Sequence, residues 1–150
     1  MAATLQFELV SPERLLRSEQ VEMVVVPGTE GNFGVLPGHA PLISTIRPGT
    51  IDIYEGGAIV RRIFISGGIA EVIPERCTVL ADEAMAPESL DRSALDAELQ
   101  TLQGNLPSLR EQVTRATGLE HERLAGELRD LERQQAVLQA KLLAIADRVH

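Results

Sequence analysis

Gly28-Thr29-Glu30-Gly31-Asn32-Phe33-Gly34-Val35-Leu36-Pro37-Gly38-His39-Ala40-Pro41-Leu42-Ile43 lies between two apolar, β-branched runs. Four glycines and two prolines in sixteen residues exclude a helix, because glycine weakens and proline interrupts the helical hydrogen-bond ladder. A flexible linker, in turn, would not hold Phe33, Val35, Leu36, Leu42 and Ile43. The stretch predicts short strands joined by tight turns, with glycine where the backbone needs positive φ or close approach.

Outward from it, residues 4–82 read almost entirely as β structure. Leu5, Phe7 and Leu9 alternate up to a Ser11-Pro12 break, and Val21, Met23 and Val25 alternate up to Pro27-Gly28. Pro48-Gly49 turns the chain into Ile51 and Ile53, and Glu55-Gly56-Gly57 is a hairpin loop leading into Ile59–Ile65. Gly67-Gly68 interrupts before Ile69, Val72 and Ile73, and a last strand runs about Cys77 to Leu80. Turn signals at this spacing fit an antiparallel sandwich or barrel.

The texture changes at Ala81–Ser89. Pro87 ends what precedes it, and Ser89 is the expected N-cap, with Asp91 in the first turn of a helix. Leu95, Leu99, Leu102, Leu106, Leu109 and Val113 then recur at spacings of four and three, and after Gly118 so do Leu124, Leu128, Leu131, Leu138, Leu142, Ile145 and Val149. Polar Gln135 stands where one apolar position is missing. Two helices are expected, with the reversal within 104–118: Asn105 capping a new helix that has Pro107 in its first turn, or Gly118 stopping the first arm. Neither arm buries its stripe alone, so the two pair with each other, dock on the sandwich or lie along a partner.

Composition narrows the function classes. A net charge of −8 argues against nucleic-acid binding, which needs concentrated Lys and Arg, and against a polybasic membrane anchor. No apolar run approaches the about 20 residues of a spanning helix and no secretory leader opens the sequence, so the expectation is a soluble chain that touches a membrane only through a protein partner. Three Phe, one Tyr and no Trp leave the core to Val, Ile and Leu. The lone Cys77 excludes an internal disulfide and is expected to pack as a strand residue in a reducing cytoplasm.

Catalytic chemistry finds little footing. Gly28, Gly31 and Gly34 are spaced three apart with no helix pattern following, unlike a phosphate-binding loop. His39, His121 and His150 have no partner at ligand spacing, so no metal site is expected. Ser66 lacks a nucleophile elbow and reads, in Ser66-Gly67-Gly68, as a bulge or a place of close approach by another chain. Asp82 and Glu83 read as linker acids. No catalytic residue and no cofactor is assigned, and the chain reads as part of an assembly rather than an enzyme.

Several blocks in order carry a resemblance to a known family: Val10-Ser11-Pro12-Glu13, Gly28–Leu42, Ile46-Arg47-Pro48-Gly49, Ile65–Val72 and Thr78–Asp82, followed by the helical segment. With these the chain resembles the bacterial epsilon subunits of rotary F-type ATP synthases. The resemblance implies a ten-stranded antiparallel β-sandwich over 1–86 that binds the gamma subunit and the polar loops of the c-ring, and a regulatory helical hairpin over 87–150. It carries c-ring contact onto Glu30, Asn32 and His39, with Asn32 where some members have an acid. It also implies a hairpin that contacts the alpha and beta subunits and restrains ATP hydrolysis. The residues themselves give two readings of Arg110, Arg115, Arg123, Arg129 and Arg133: a solvated face, the default for most of them, or contacts with acidic surfaces on a neighbour once the apolar seam exchanges partners. The location implied is peripheral, in the F1 sector on the cytoplasmic face of the inner (plasma) membrane.

Some members bind ATP at Leu-Asp-x-x-Arg-Ala. Here Leu90 and Asp91 match, Ala94 replaces the arginine, and Arg92 is a neighbouring remnant on another helix face. The main rival is a stand-alone ATP-sensing sandwich/helix module. A small hydrolase around His39 or Ser66 and a coiled-coil adaptor dimerising through 124–149 are the others.

Overall fold

The computed structural model describes residues 3–147. The chain divides into two compact units, the first ending at Ser89 and the second beginning at Leu90. Val149 and His150, named above as the end of the leucine stripe and the third histidine, lie outside the described residues.

The first unit is a β-sandwich of ten strands: β1 (Leu5–Val10), β2 (Leu15–Val21), β3 (Met23–Gly28), β4 (Gly31–Val35), β5 (Leu42–Ile46), β6 (Gly49–Glu55), β7 (Ala58–Ile65), β8 (Gly68–Ile73), β9 (Arg76–Ala81) and β10 (Ala84–Met85). The hydrogen-bonded order is β10-β7-β6-β3-β5-β8-β9-β1-β2, with β4 on β3. β3 is shared between the layers. Val24 and Val25 pair with Ile53 and Asp52 of β6, whereas Gly28 pairs with Ile46 of β5. Leu5, Phe7, Val24, Val26, Ile51, Ile53, Ile65, Val72 and Val79 are among the residues that fill the interior, with Cys77 and Ala81 in the same cluster.

Two strand expectations are corrected. The sandwich is not wholly antiparallel: β1 runs parallel to β9, with Phe7 opposite Cys77. Nor do Val21, Met23 and Val25 share a buried face. Val24 and Val26 are buried, while Met23 and Val25 are only half so. The chain leaves β2 after Val21 and re-enters as β3 at Met23, and the intervening Glu22 shifts the pleat by one residue. β10, two residues long, carries no alternation to read.

Turn chemistry behaves as expected at the β6–β7 hairpin, where Gly56 and Gly57 both have positive φ (61° and 78°). At Gly68 the close approach comes from the chain itself. A Cβ there would sit 2.0 Å from the carbonyl oxygen of Leu80 on the neighbouring strand β9.

The far edge is closed by charge. Glu19 on β2 accepts hydrogen bonds from Arg17 on its own strand and from Arg61 on β7, each at 2.7 Å. Burial raises the Glu19 pKa, but the hydrogen bonds and charges of the two guanidiniums outweigh it, and the carboxyl ends below its ordinary value.

The second unit is a helical hairpin, α1 (Arg92–Arg115) and α2 (Gly118–Asp147). Asp91, not Ser89, is the N-cap: its carboxylate accepts from the Ala94 N–H at 3.4 Å. Ser89 closes a short 3₁₀ turn, Pro87–Ser89, donating its hydroxyl to the Ala86 carbonyl at 2.7 Å. The reversal falls at Ala116-Thr117, and the break considered at Gly104–Pro107 does not occur, so Asn105 caps nothing. Pro107 sits inside α1. Leu102, Leu106 and Leu109 remain buried around it, which shows packing overriding the missing N–H. At the turn, the Ala116 N–H donates to Gln112 O (3.0 Å) and His121 Nδ1 to Val113 O (2.9 Å), covering two carbonyls that the end of α1 would leave open.

Candidate functional site

The c-ring candidates divide into two places. Glu30 is exposed on the β3–β4 turn and Asn32 is exposed at the start of β4. The chain is forced tight here: a Cβ on Gly28 would come within 2.8 Å of Gly31 O and 3.0 Å of the Phe33 ring. The turn is fastened to the β5–β6 corner by the Thr29 N–H on Thr45 O (3.1 Å) and the Arg47 N–H on Pro27 O (2.9 Å). Arg47 then forks, Nη1 to the Gly28 carbonyl and Nη2 to Asn32 Oδ1 at 2.6 Å.

His39 lies at the other end of β5, about 13 Å away along a five-residue strand. The Gly38 N–H donates to Pro74 O (2.7 Å) at the β8–β9 turn, and His39 Nδ1 donates to Ala40 O at 2.6 Å. Glu30 and Asn32 therefore form one tip, and His39 a separate point. Arg47, which organises the tip, is not recognisable in the sequence as a site residue because its partners are distant along the chain. The only signal was an arginine between Ile46 and Pro48-Gly49.

Ser66 belongs to the Gly67-Gly68 end of β8, where its N–H donates to Glu83 O (3.1 Å), while His39 is at the opposite end. The two are not brought together and do not form one site. Among the described residues no three His, Cys, Asp or Glu side chains converge as a metal site would require, and no helix is long and apolar enough to cross a membrane.

One outer face of the sandwich is unusually apolar. Ladder partners place Ile69 on β8, Leu80 on β9, Val10 on β1 and Leu15 on β2 in a single cross-strand row. Ile69, Leu80 and Leu15 are 48%, 44% and 56% exposed, and Ile43 on β5 is 73% exposed. A contiguous apolar strip of this kind is a feature of surfaces that meet another protein.

In the hairpin, the ATP-motif remnant has other engagements: the Asp91 carboxylate caps α1, and Arg92 is exposed. The arginines pair largely within their own helices. Arg115 holds Glu111 (2.6 Å), Arg123 holds Glu120 (2.6 Å) and Glu127 (2.8 Å), and Arg133 holds Asp130. The Arg123 guanidinium beside Glu120 draws that carboxyl below its ordinary value. Arg110 reaches across to Glu132 at 3.8 Å. Arg129 is exposed and makes no ion pair among the described residues.

The family model for the beta-sandwich domain of the ATP synthase delta/epsilon chain matches residues 4–87. An ATP synthase epsilon chain of Rhodospirillum rubrum is 54% identical over 125 residues, covering 83% of this chain and 93% of that one. Another, of Rhodospirillum centenum, is 49% identical over 148 residues, covering 97% and 94%. The fold is similar to a chain of the Euglena gracilis mitochondrial ATP synthase OSCP/F1/c-ring structure, with a TM-score of 0.61 at 24% identity, covering 91% of this chain and 82% of that one. A chain of the Tetrahymena thermophila mitochondrial ATP synthase central stalk/c-ring gives 0.54 at 12% identity, covering 89% and 97%. At such identities the likeness establishes the fold alone.

Proposed function

The chain belongs to the ATP synthase delta/epsilon chain family, and on that premise we propose that it is the epsilon subunit of an F-type ATP synthase. It is a non-catalytic member of the central stalk that couples proton translocation to ATP synthesis. The observation that carries this is the match with the R. rubrum epsilon chain across nearly that protein's whole length. The apolar row Ile69–Leu80–Val10–Leu15 supports a protein-facing sandwich and is assigned to the gamma subunit. The Glu30–Asn32 tip is assigned to the polar loops of the c-ring, with His39 a second, separate contact. The subunit is peripheral, held at the cytoplasmic face of the inner (plasma) membrane through its partners.

The hairpin is assigned a regulatory role, exchanging its apolar seam between its own partner helix and the alpha, beta and gamma subunits. The ion pairs are consistent with such exchange. Those of Arg115, Arg123 and Arg133 lie within one helix and survive separation, whereas Arg110–Glu132 crosses between helices and is exposed and weak. Separation is therefore opposed mainly by leucine burial, which a partner surface can replace. A stand-alone ATP sensor has no comparable support, since Ala94 lacks the phosphate donor and Asp91 is occupied as a cap.

The test is ATP hydrolysis by the alpha/beta/gamma core alone, with the full chain, and with a chain ending at Ala86. Inhibition by the full chain only locates the brake in 87–150. Equal rates, with both versions retained on gamma, leave coupling without the brake, and failure of both to bind the core overturns the assignment.

A further inference from the structure

We propose, resting on the ring-facing reading of the β3–β4 turn, that Arg47 is a positioning residue that makes this tip a hydrogen-bond donor, so that the partner loop must offer an acceptor oxygen to Asn32. The orientation of the Asn32 amide follows from chemistry. A guanidinium only donates, so the atom 2.6 Å from Arg47 Nη2 is Oδ1, and the NH2 group is turned the other way. Residue 32 is exposed and, among the described residues, its NH2 has no partner. Arg47 thereby occupies one lone pair of Asn32 Oδ1, turns that oxygen inward and leaves both amide donors for a neighbour. The same guanidinium holds the Gly28 carbonyl, and its own N–H holds Pro27 O. The turn is thus fixed before any partner arrives, which lowers the ordering cost of binding. An oxygen on the partner, a turn carbonyl or a carboxylate, completes the amide; a lone ammonium or guanidinium does not.

Asn32→Asp separates holding the turn from presenting a donor, because it keeps an oxygen toward Arg47 and replaces the NH2 with a second acceptor. Full-length chain assembled on gamma is titrated with detergent-solubilised c-ring, and amide exchange at residues 29–33 is followed in the free full-length chain. Asn32→Asp is expected to leave exchange as in the parent and to weaken ring binding about tenfold, roughly the effect of one lost hydrogen bond. Arg47→Ala is expected to raise exchange about tenfold or more and to weaken binding at least as much, with the cooperative unfolding of the sandwich retained. If Glu30→Ala weakens binding and Asn32→Asp does not, the ring-facing reading stands and the donor proposal is overturned. If Glu30→Ala, Asn32→Asp and Arg47→Ala all bind as the parent does, the ring-facing reading fails and the proposal with it. Unchanged exchange in Arg47→Ala overturns the positioning role whatever the binding.

Discussion

Cys77 is fully buried between β8 and β1, and burial pushes its thiol up to about 12. Because the thiolate is the reactive form, Cys77 is expected to resist alkylation at pH 8 in the folded chain and to label readily in denaturant; labelling at equal rates would show an open sandwich. Gly68 is constrained from two sides, with φ +152° and the Leu80 carbonyl in the space of a side chain. Gly68→Ala is expected to cost about 3 kcal/mol or more, read as a lowered denaturation midpoint. Glu19 carries a pH dependence of defined sign. Its folded pKa lies below the ordinary 4.5, so its stabilisation is complete above that value and is lost as pH falls through the folded pKa. Unfolding curves between pH 7 and 3 are expected to show this acid-side loss in the parent and to lack it in Glu19→Gln, which is itself less stable by about 1 kcal/mol at neutral pH.

At the scale of elements, what was legible in the sequence was what is local. Gly56-Gly57 announces a hairpin because both residues must take positive φ, and the leucine spacing announces two helices because 3.6 residues make a turn. The Glu22 phase shift, the parallel β1–β9 ladder and the Arg47–Asn32 bond join residues that only the fold brings together, and no spacing encodes them. Glu30 and Asn32 are implied as contact residues by resemblance alone; the local sequence says only that the chain turns there. Of the two breaks open to the sequence, Gly104–Pro107 does not form because the leucine seam offsets the cost of the proline. That cost is still present. Pro107 leaves the Gln103 carbonyl without its usual donor, and a Cβ at Gly104 would meet nothing within 4 Å. Gly104→Ala together with Pro107→Ala is expected to stabilise the hairpin by about 2 kcal/mol, below the sum of interior propensity costs. Slower amide exchange across residues 100–110 would register it, and unchanged exchange would mean that the seam alone sets helix stability.

For the whole molecule, the division at Ser89 predicts independence. Every strand and the interior cluster lie before that boundary, so a chain ending at Ser89 is expected to unfold in one cooperative transition with a near-parent β-sheet circular dichroism spectrum. A broad, non-cooperative transition would show that the helices are needed to complete the fold. The parallel ladder also imposes a timetable. β1 is flanked by β2, available soon after it, and by β9, some seventy residues later. Contacts of such separation are slow to form and cannot form before both partners exist. On the ribosome, then, β1 waits half-paired until residue 81 has cleared the exit tunnel. The helices, whose contacts are local, emerge after every strand of the sandwich and wind within microseconds, so the portion assigned to regulation is also a portion the nascent chain acquires only after the sandwich is settled.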